Sequence, residues 1–156
     1  MCALDLLKVV IKYLLMHPIK RYHQFLESKE LRIFDDLFDD DVIFYSPVVH
    51  TPQRGKDITK MYLTAAGNVF NENLSNNNTS NLEVSSKFKY VKEVIGTNSA
   101  CLEFETTIRG IFINGIDLIS WNDQNKITEF KVLIRPLKAV NILHEMMGHM
   151  LKKLQE

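Results

Sequence analysis

The sequence predicts an α+β domain in which helices cover one face of a curved antiparallel sheet. Three observations carry that expectation. Apolar residues recur at helical spacing from Leu4 to Phe38, the period changes to two between Leu82 and Arg135, and helical spacing returns from Leu137. Helices and strands that keep to separate stretches of a chain define the α+β class. At 156 residues the chain is long enough to bury a core that also encloses a cavity.

The elements follow in order. Leu4, Leu7, Ile11 and Leu14 form an apolar stripe with Lys8 and Lys12 between them. This predicts a helical extension over residues 1–17, packed on its own domain or on a second subunit. Pro18 cannot continue that helix but suits the first position of the next. Tyr22, Phe25 and Leu26 make one helical stripe, and Leu31, Phe34, Leu37 and Phe38 make another, with an interruption at Glu27–Lys29. Asp39, Asp40 and Asp41 are expected to end the run in a solvated turn, because they lack the alternating ligands and glycine of a calcium loop.

Val42–Tyr45 is β-branched and aromatic and reads as a strand. Pro47 and Pro52 bracket a loop, and Gly55 precedes a helix from Lys56 to about Phe70. Seven asparagines between Asn68 and Asn81 predict the longest loop of the chain, over residues 68–81. Leu82–Ile95, Ala100–Arg109, Ile111–Trp121 and Lys126–Arg135 then read as strands joined by short turns. Pro136 closes the last strand, and Leu137 to about Leu154 is helical. With no internal repeat, residues 18–156 form one domain after the extension.

Charge and cysteine content narrow the function. Nineteen basic residues balance nineteen acidic ones. Nucleic acid and anionic membrane reward concentrated positive charge, so neither is an expected partner. Neutrality also removes the self-repulsion that keeps copies apart, which favours a homodimer. Two cysteines, Cys2 and Cys101, are too few for a disulfide framework and lack zinc spacing. No stretch matches a signal peptide or a membrane-spanning helix, and a cytoplasmic location is expected. His144 and His149 lie five residues apart, which turns them about 140° from one another on a helix and rules out a shared metal there. No metal and no cofactor is expected.

Three polar residues on apolar elements stand out: Tyr22, Ser46 and Asp117. Strand alternation places Asp117 on the face of Ile119 and Trp121, where it either reaches solvent or is buried with a raised pKa. Asp39–Ile43 running into Phe44-Tyr45-Ser46-Pro47-Val48, with Gly55 then opening a helix, resembles the nuclear transport factor 2-like superfamily. Ketosteroid isomerases and SnoaL-like polyketide cyclases belong to it. Gly115-Ile116-Asp117-Leu118, followed by Asn125-Lys126-Ile127, resembles the isomerase pattern as well, so the similarity extends from about Pro18 to Arg135. It implies a cone-shaped, cystatin-like sheet that dimerises through its outer face.

The resemblance also implies roles. Tyr22 matches the tyrosine of the isomerase oxyanion hole, and Asp117 matches the protonated aspartic acid that donates beside it. Ser46 stands where the isomerases carry the aspartate base, and Leu63 stands where some carry a supporting tyrosine. A serine hydroxyl is no base near neutral pH, so the usual proton abstraction is not expected. His50, four residues on, is the alternative base in reach of the cavity rim. Glu103 and Glu105 are assigned to the outer face.

Phe44, Tyr62, Phe104, Ile119, Trp121, Phe130, Val132 and Ile134 are the expected ligand contacts. They suit a small apolar molecule that is steroid-, polyketide- or acyl-like. Two other readings remain open: an isomerase- or cyclase-type enzyme using Tyr22 and Asp117 without the aspartate base, and a protein-interaction module.

Overall fold

The computed structural model describes residues 17–75 and 86–155. The predicted N-terminal helical extension therefore lies outside the described residues, apart from His17. Helix α1, Pro18–Ser28, begins with Pro18 at its first position. His17 caps it, with the Ile19 N–H donating to His17 Nδ1 at 3.3 Å. Burial pulls the His17 pKa below 6.5, which keeps that nitrogen free to accept. The helix ends where Lys29 turns left-handed, at φ 57°, and its N–H bonds the Phe25 carbonyl. Helix α2, Leu31–Leu37, follows and buries Phe34 and Leu37.

Strand β1, Phe38–Tyr45, starts at once, so the acid triple lies within a strand and not in a turn. Two features make this tolerable. A break in register between Phe38 and Ile43 loosens the ladder there. The carboxylates also find partners, with Asp40 on Lys56 at 2.6 Å and Asp39 accepting from Asn122 Nδ2 at 3.1 Å. Strand β2, Gln53–Arg54, leads through Gly55, whose φ of 103° suits glycine, into helix α3, Lys56–Ser75.

Helix α3 overruns the predicted end at Phe70 and takes in the first asparagines of the supposed loop. Buried Val69 and the contact of Asn68 Nδ2 with Met150 Sδ seat this stretch, so packing overrides weak helix propensity. Asparagines beyond residue 75 fall outside the described residues, as does the predicted start of the next strand at Leu82.

Strands β3 (Ser86–Ile95), β4 (Ser99–Ile108), β5 (Ile111–Trp121) and β6 (Ile127–Arg135) form the meander, and α4 (Leu137–Gln155) closes the chain. The six strands make one sheet in the order β2-β1-β6-β5-β4-β3. It is mixed rather than purely antiparallel, because β1 lies parallel to β6 with Phe44 opposite Phe130. Alternation along β4 is regular. Leu102, Phe104, Thr106 and Ile108 point into the core, while Glu103 and Glu105 take the outer face. On α4, Ala139, Leu143, Met147 and Met150 form the buried stripe.

Candidate functional site

A cavity of about 600 Å³ opens between the inner sheet face and the helices. Its walls are largely apolar and include Phe25, Phe88 and Leu63, with Leu143 and Met147 contributed by α4. Into this lining project the hydroxyls of Tyr22, from α1, and Tyr90, from β3, and the carboxyl of Asp117, from β5. Asp117 is only 5% exposed and Tyr22 only 3%. In the sheet register Asp117 lies between Leu102 and Val132, so its strand neighbours are apolar on both sides.

The three polar groups form a chain. Tyr90 Oη donates to Asp117 Oδ2 at 2.5 Å, and the Tyr22 and Tyr90 hydroxyls are 3.4 Å apart. Burial pushes the Asp117 pKa up from 3.8 to about 7, and the Tyr90 hydrogen bond partly offsets this. Burial and then the Asp117 charge hold both tyrosines well above 10, so both phenols keep their protons at neutral pH. Because Tyr90 spends its one proton on Asp117, Tyr22 can donate to the Tyr90 oxygen or to a ligand. A neutral Asp117 becomes a second donor.

The predicted residues separate into two groups. Tyr22, Ser46, Asp117, Phe44, Phe104, Val132 and Ile134 all border the cavity. Tyr62, Ile119, Trp121 and Phe130 are not among the residues that border it and instead pack in the core. Phe130 is fully buried, with its ring 6.3 Å from Phe38 and 6.1 Å from Phe44. Tyr62 packs on the Phe44 ring at 5.2 Å, Ile119 is enclosed in the core, and Trp121 meets His17 at 5.3 Å. Alternation identified the inward face but could not tell filled depth from open space. His50 is exposed and is not among the residues that border the cavity.

Ser46 borders the cavity, but its Oγ accepts the Val48 N–H at 3.2 Å and closes a local turn. Among the described residues, no side chain is hydrogen-bonded to it. Tyr90 is the residue that sequence reasoning missed. Leu63 leaves the supporting position of α3 apolar, and a hydroxyl from β3 reaches Asp117 directly instead. The available signal was parity: Phe88 and Tyr90 share one face of a strand whose other face carries Lys87 and Lys89.

No protein-family model and no curated protein matches this chain. Solved structures do. A steroid delta-isomerase from Pseudomonas aeruginosa superposes with a TM-score of 0.74 at 24% identity, over 88% of this chain and 91% of that one. An uncharacterised protein with a cystatin-like fold from Silicibacter pomeroyi gives 0.69 at 24% identity, over 85% and 83%. A protein from Mesorhizobium loti described as nuclear transport factor 2-like gives 0.54 at 11%, over 76% and 91%. The chain therefore has the nuclear transport factor 2-like fold, the cone-shaped α+β architecture that the sequence predicted. Identities this low establish the fold and leave the function to the site.

Proposed function

We propose that this protein binds a small apolar molecule in the cavity, with one ligand oxygen held by Tyr22 and by the protonated form of Asp117. The supporting observation is the Tyr22–Tyr90–Asp117 chain, buried in a cavity whose walls are largely apolar. An apolar wall contributes affinity, and two converging donors orient a carbonyl or phenol oxygen. No helix among the described residues is long and apolar enough to cross a membrane. A cytoplasmic location is part of this proposal and does not follow from that absence. The direct test is calorimetric titration with a neutral naphthol. Tyr22→Phe should weaken binding by up to about tenfold, the worth of one good hydrogen bond. Equal affinity in Tyr22→Phe and Asp117→Ala would remove the pocket donors from the reading.

The raised Asp117 pKa favours a second reading, an isomerase- or cyclase-type enzyme. A carboxyl titrating near 7 is suited to taking and returning a proton at neutral pH, which Ser46 is not. Tyr22 would then steady charge on the substrate oxygen. The readout is deuterium exchange beside the carbonyl of an apolar ketone. Exchange abolished in Asp117→Asn supports catalysis, and exchange no faster than in buffer leaves a binding protein.

A further inference from the structure

The charged groups at the cavity mouth are of a different kind from those at its floor. Besides Asp117, the charged residues bordering the cavity are Glu27, Lys29 and Lys87, and all three are exposed. They come from separate elements, Glu27 and Lys29 from the end of α1 and Lys87 from the edge strand β3. Lys29 occupies a left-handed position that glycine or asparagine usually fills. Its backbone there is held by the bond to the Phe25 carbonyl, and the residue borders the cavity.

Some lysines on the molecule are matched by a neighbouring carboxylate. Lys56, Lys60, Lys89 and Lys131 each sit beside a carboxylate, on Asp40, Asp35, Glu105 and Glu129. Lys29 and Lys87, like Lys20, Lys92 and Lys138, have no such partner among the described residues. Among the described residues, two cations against one acid leave the mouth with a net positive charge of one, on a chain whose overall charge is zero. One unbalanced charge matches a monoanion. A dianion such as a phosphate monoester would be less well matched, since Glu27 repels it.

We propose that the ligand is an amphipathic monocarboxylate, its apolar body inside the cavity and its carboxylate between Lys29 and Lys87. This rests on the reading of the cavity as a binding site and adds which end of the ligand stays in water. The mouth then sets orientation, because an oxygen at one end meets the Tyr22 and Asp117 donors while the anion remains solvated.

The test titrates para-hydroxyphenyl nonanoic acid and its primary amide at low salt. The acid should bind about fivefold to tenfold more tightly, the scale of two exposed ion pairs. That advantage should vanish in the Lys29→Gln, Lys87→Gln double variant and in about 0.5 M salt. Amide affinity should stay unchanged in the variant, which also shows that it folds. Equal affinity of acid and amide in the native protein overturns this proposal and leaves the cavity reading intact. An acid preference that survives in the double variant overturns it too, since the anion is then recognised elsewhere. Failure of the amide to bind at all counts against the cavity reading itself.

Discussion

Tyr90 and Asp117 share a hydrogen bond that favours the charged carboxylate, while burial favours the neutral acid, and burial dominates. Removing the bond should let burial act alone. In Tyr90→Phe the Asp117 pKa should rise further above 7, as read by carbon-detected NMR titration of the carboxyl. A fall, or no change, would show that the bond is not made in solution. The same residue ties stability to pH. Asp117 has a folded pKa above its unfolded value, so the native state holds the proton more tightly. Its favourable contribution is complete below about pH 4 and is lost as pH rises to about 7. The rise from 3.8 to about 7 is worth about 4 kcal/mol at most. Urea titrations should show that slope in the native protein and a flatter profile in Asp117→Asn.

Gly115 sets the shape of the cavity wall. It faces Phe104 directly across the β4–β5 ladder, and a Cβ there would lie 2.2 Å from the Phe104 ring. The Leu133 carbonyl, 2.8 Å away, blocks escape on the other side. Gly115→Ala should destabilise the fold by about 1–3 kcal/mol through overpacking and weaken ligand binding by displacing Phe104. Full stability in a thermal melt would contradict that close approach. Tyr22, Ser46 and Asp117 were legible in the sequence because each is a polar residue on an apolar element, within motifs resembling a known superfamily. Tyr90 was hidden because its hydroxyl depends on a partner 27 residues away, which no local pattern reveals.

At the scale of elements, the helix and strand periods were readable almost throughout, and the errors fell where tertiary contacts outweighed local chemistry. Three successive aspartates suggest a turn, but Lys56 on α3 and the Asn122 amide after β5 let them extend as strand. Asparagines suggest a loop, but the contact of Asn68 with Met150 on α4 and the burial of Val69 seat the start of that run as helix. The parallel pairing of β1 with β6 joins segments more than 80 residues apart, and alternation identifies faces without identifying partners. The end of α1 yields a prediction of its own. Lys29→Gly should stabilise the protein by about 0.5–1 kcal/mol by relieving the left-handed strain. It should also weaken carboxylate binding at the cavity mouth. A loss of stability in chemical denaturation would show that the lysine side chain contributes more than its backbone costs.

At the scale of the whole molecule, the helices among the described residues cover the inner sheet face and none covers the outer one. Phe112, Leu133 and Val94 are exposed on that outer face, beside half-buried Ile116 and Leu118. Charges of both signs flank them, Glu103 and Glu105 against Lys131 and Arg135, so the surface can complement a copy of itself turned by half a revolution. We propose a second copy of this chain as its occupant. Light scattering should give twice the chain mass for the native protein and the single mass for an Ile116→Lys, Leu133→Lys variant. A native monomer, or a dimer indifferent to both changes, would rule this surface out.

The position of Trp121 has a practical consequence. The chain has one tryptophan, and it rests edge-on to the His17 ring instead of bordering the cavity. Its emission is therefore a natural gauge of whether the start of α1 is seated. Ligand that fills the cavity without moving that helix should leave the spectrum still. Acidification that protonates His17 should quench it, since a cationic imidazole is the stronger quencher, so one optical signal can separate the opening of the first helix from occupation of the pocket.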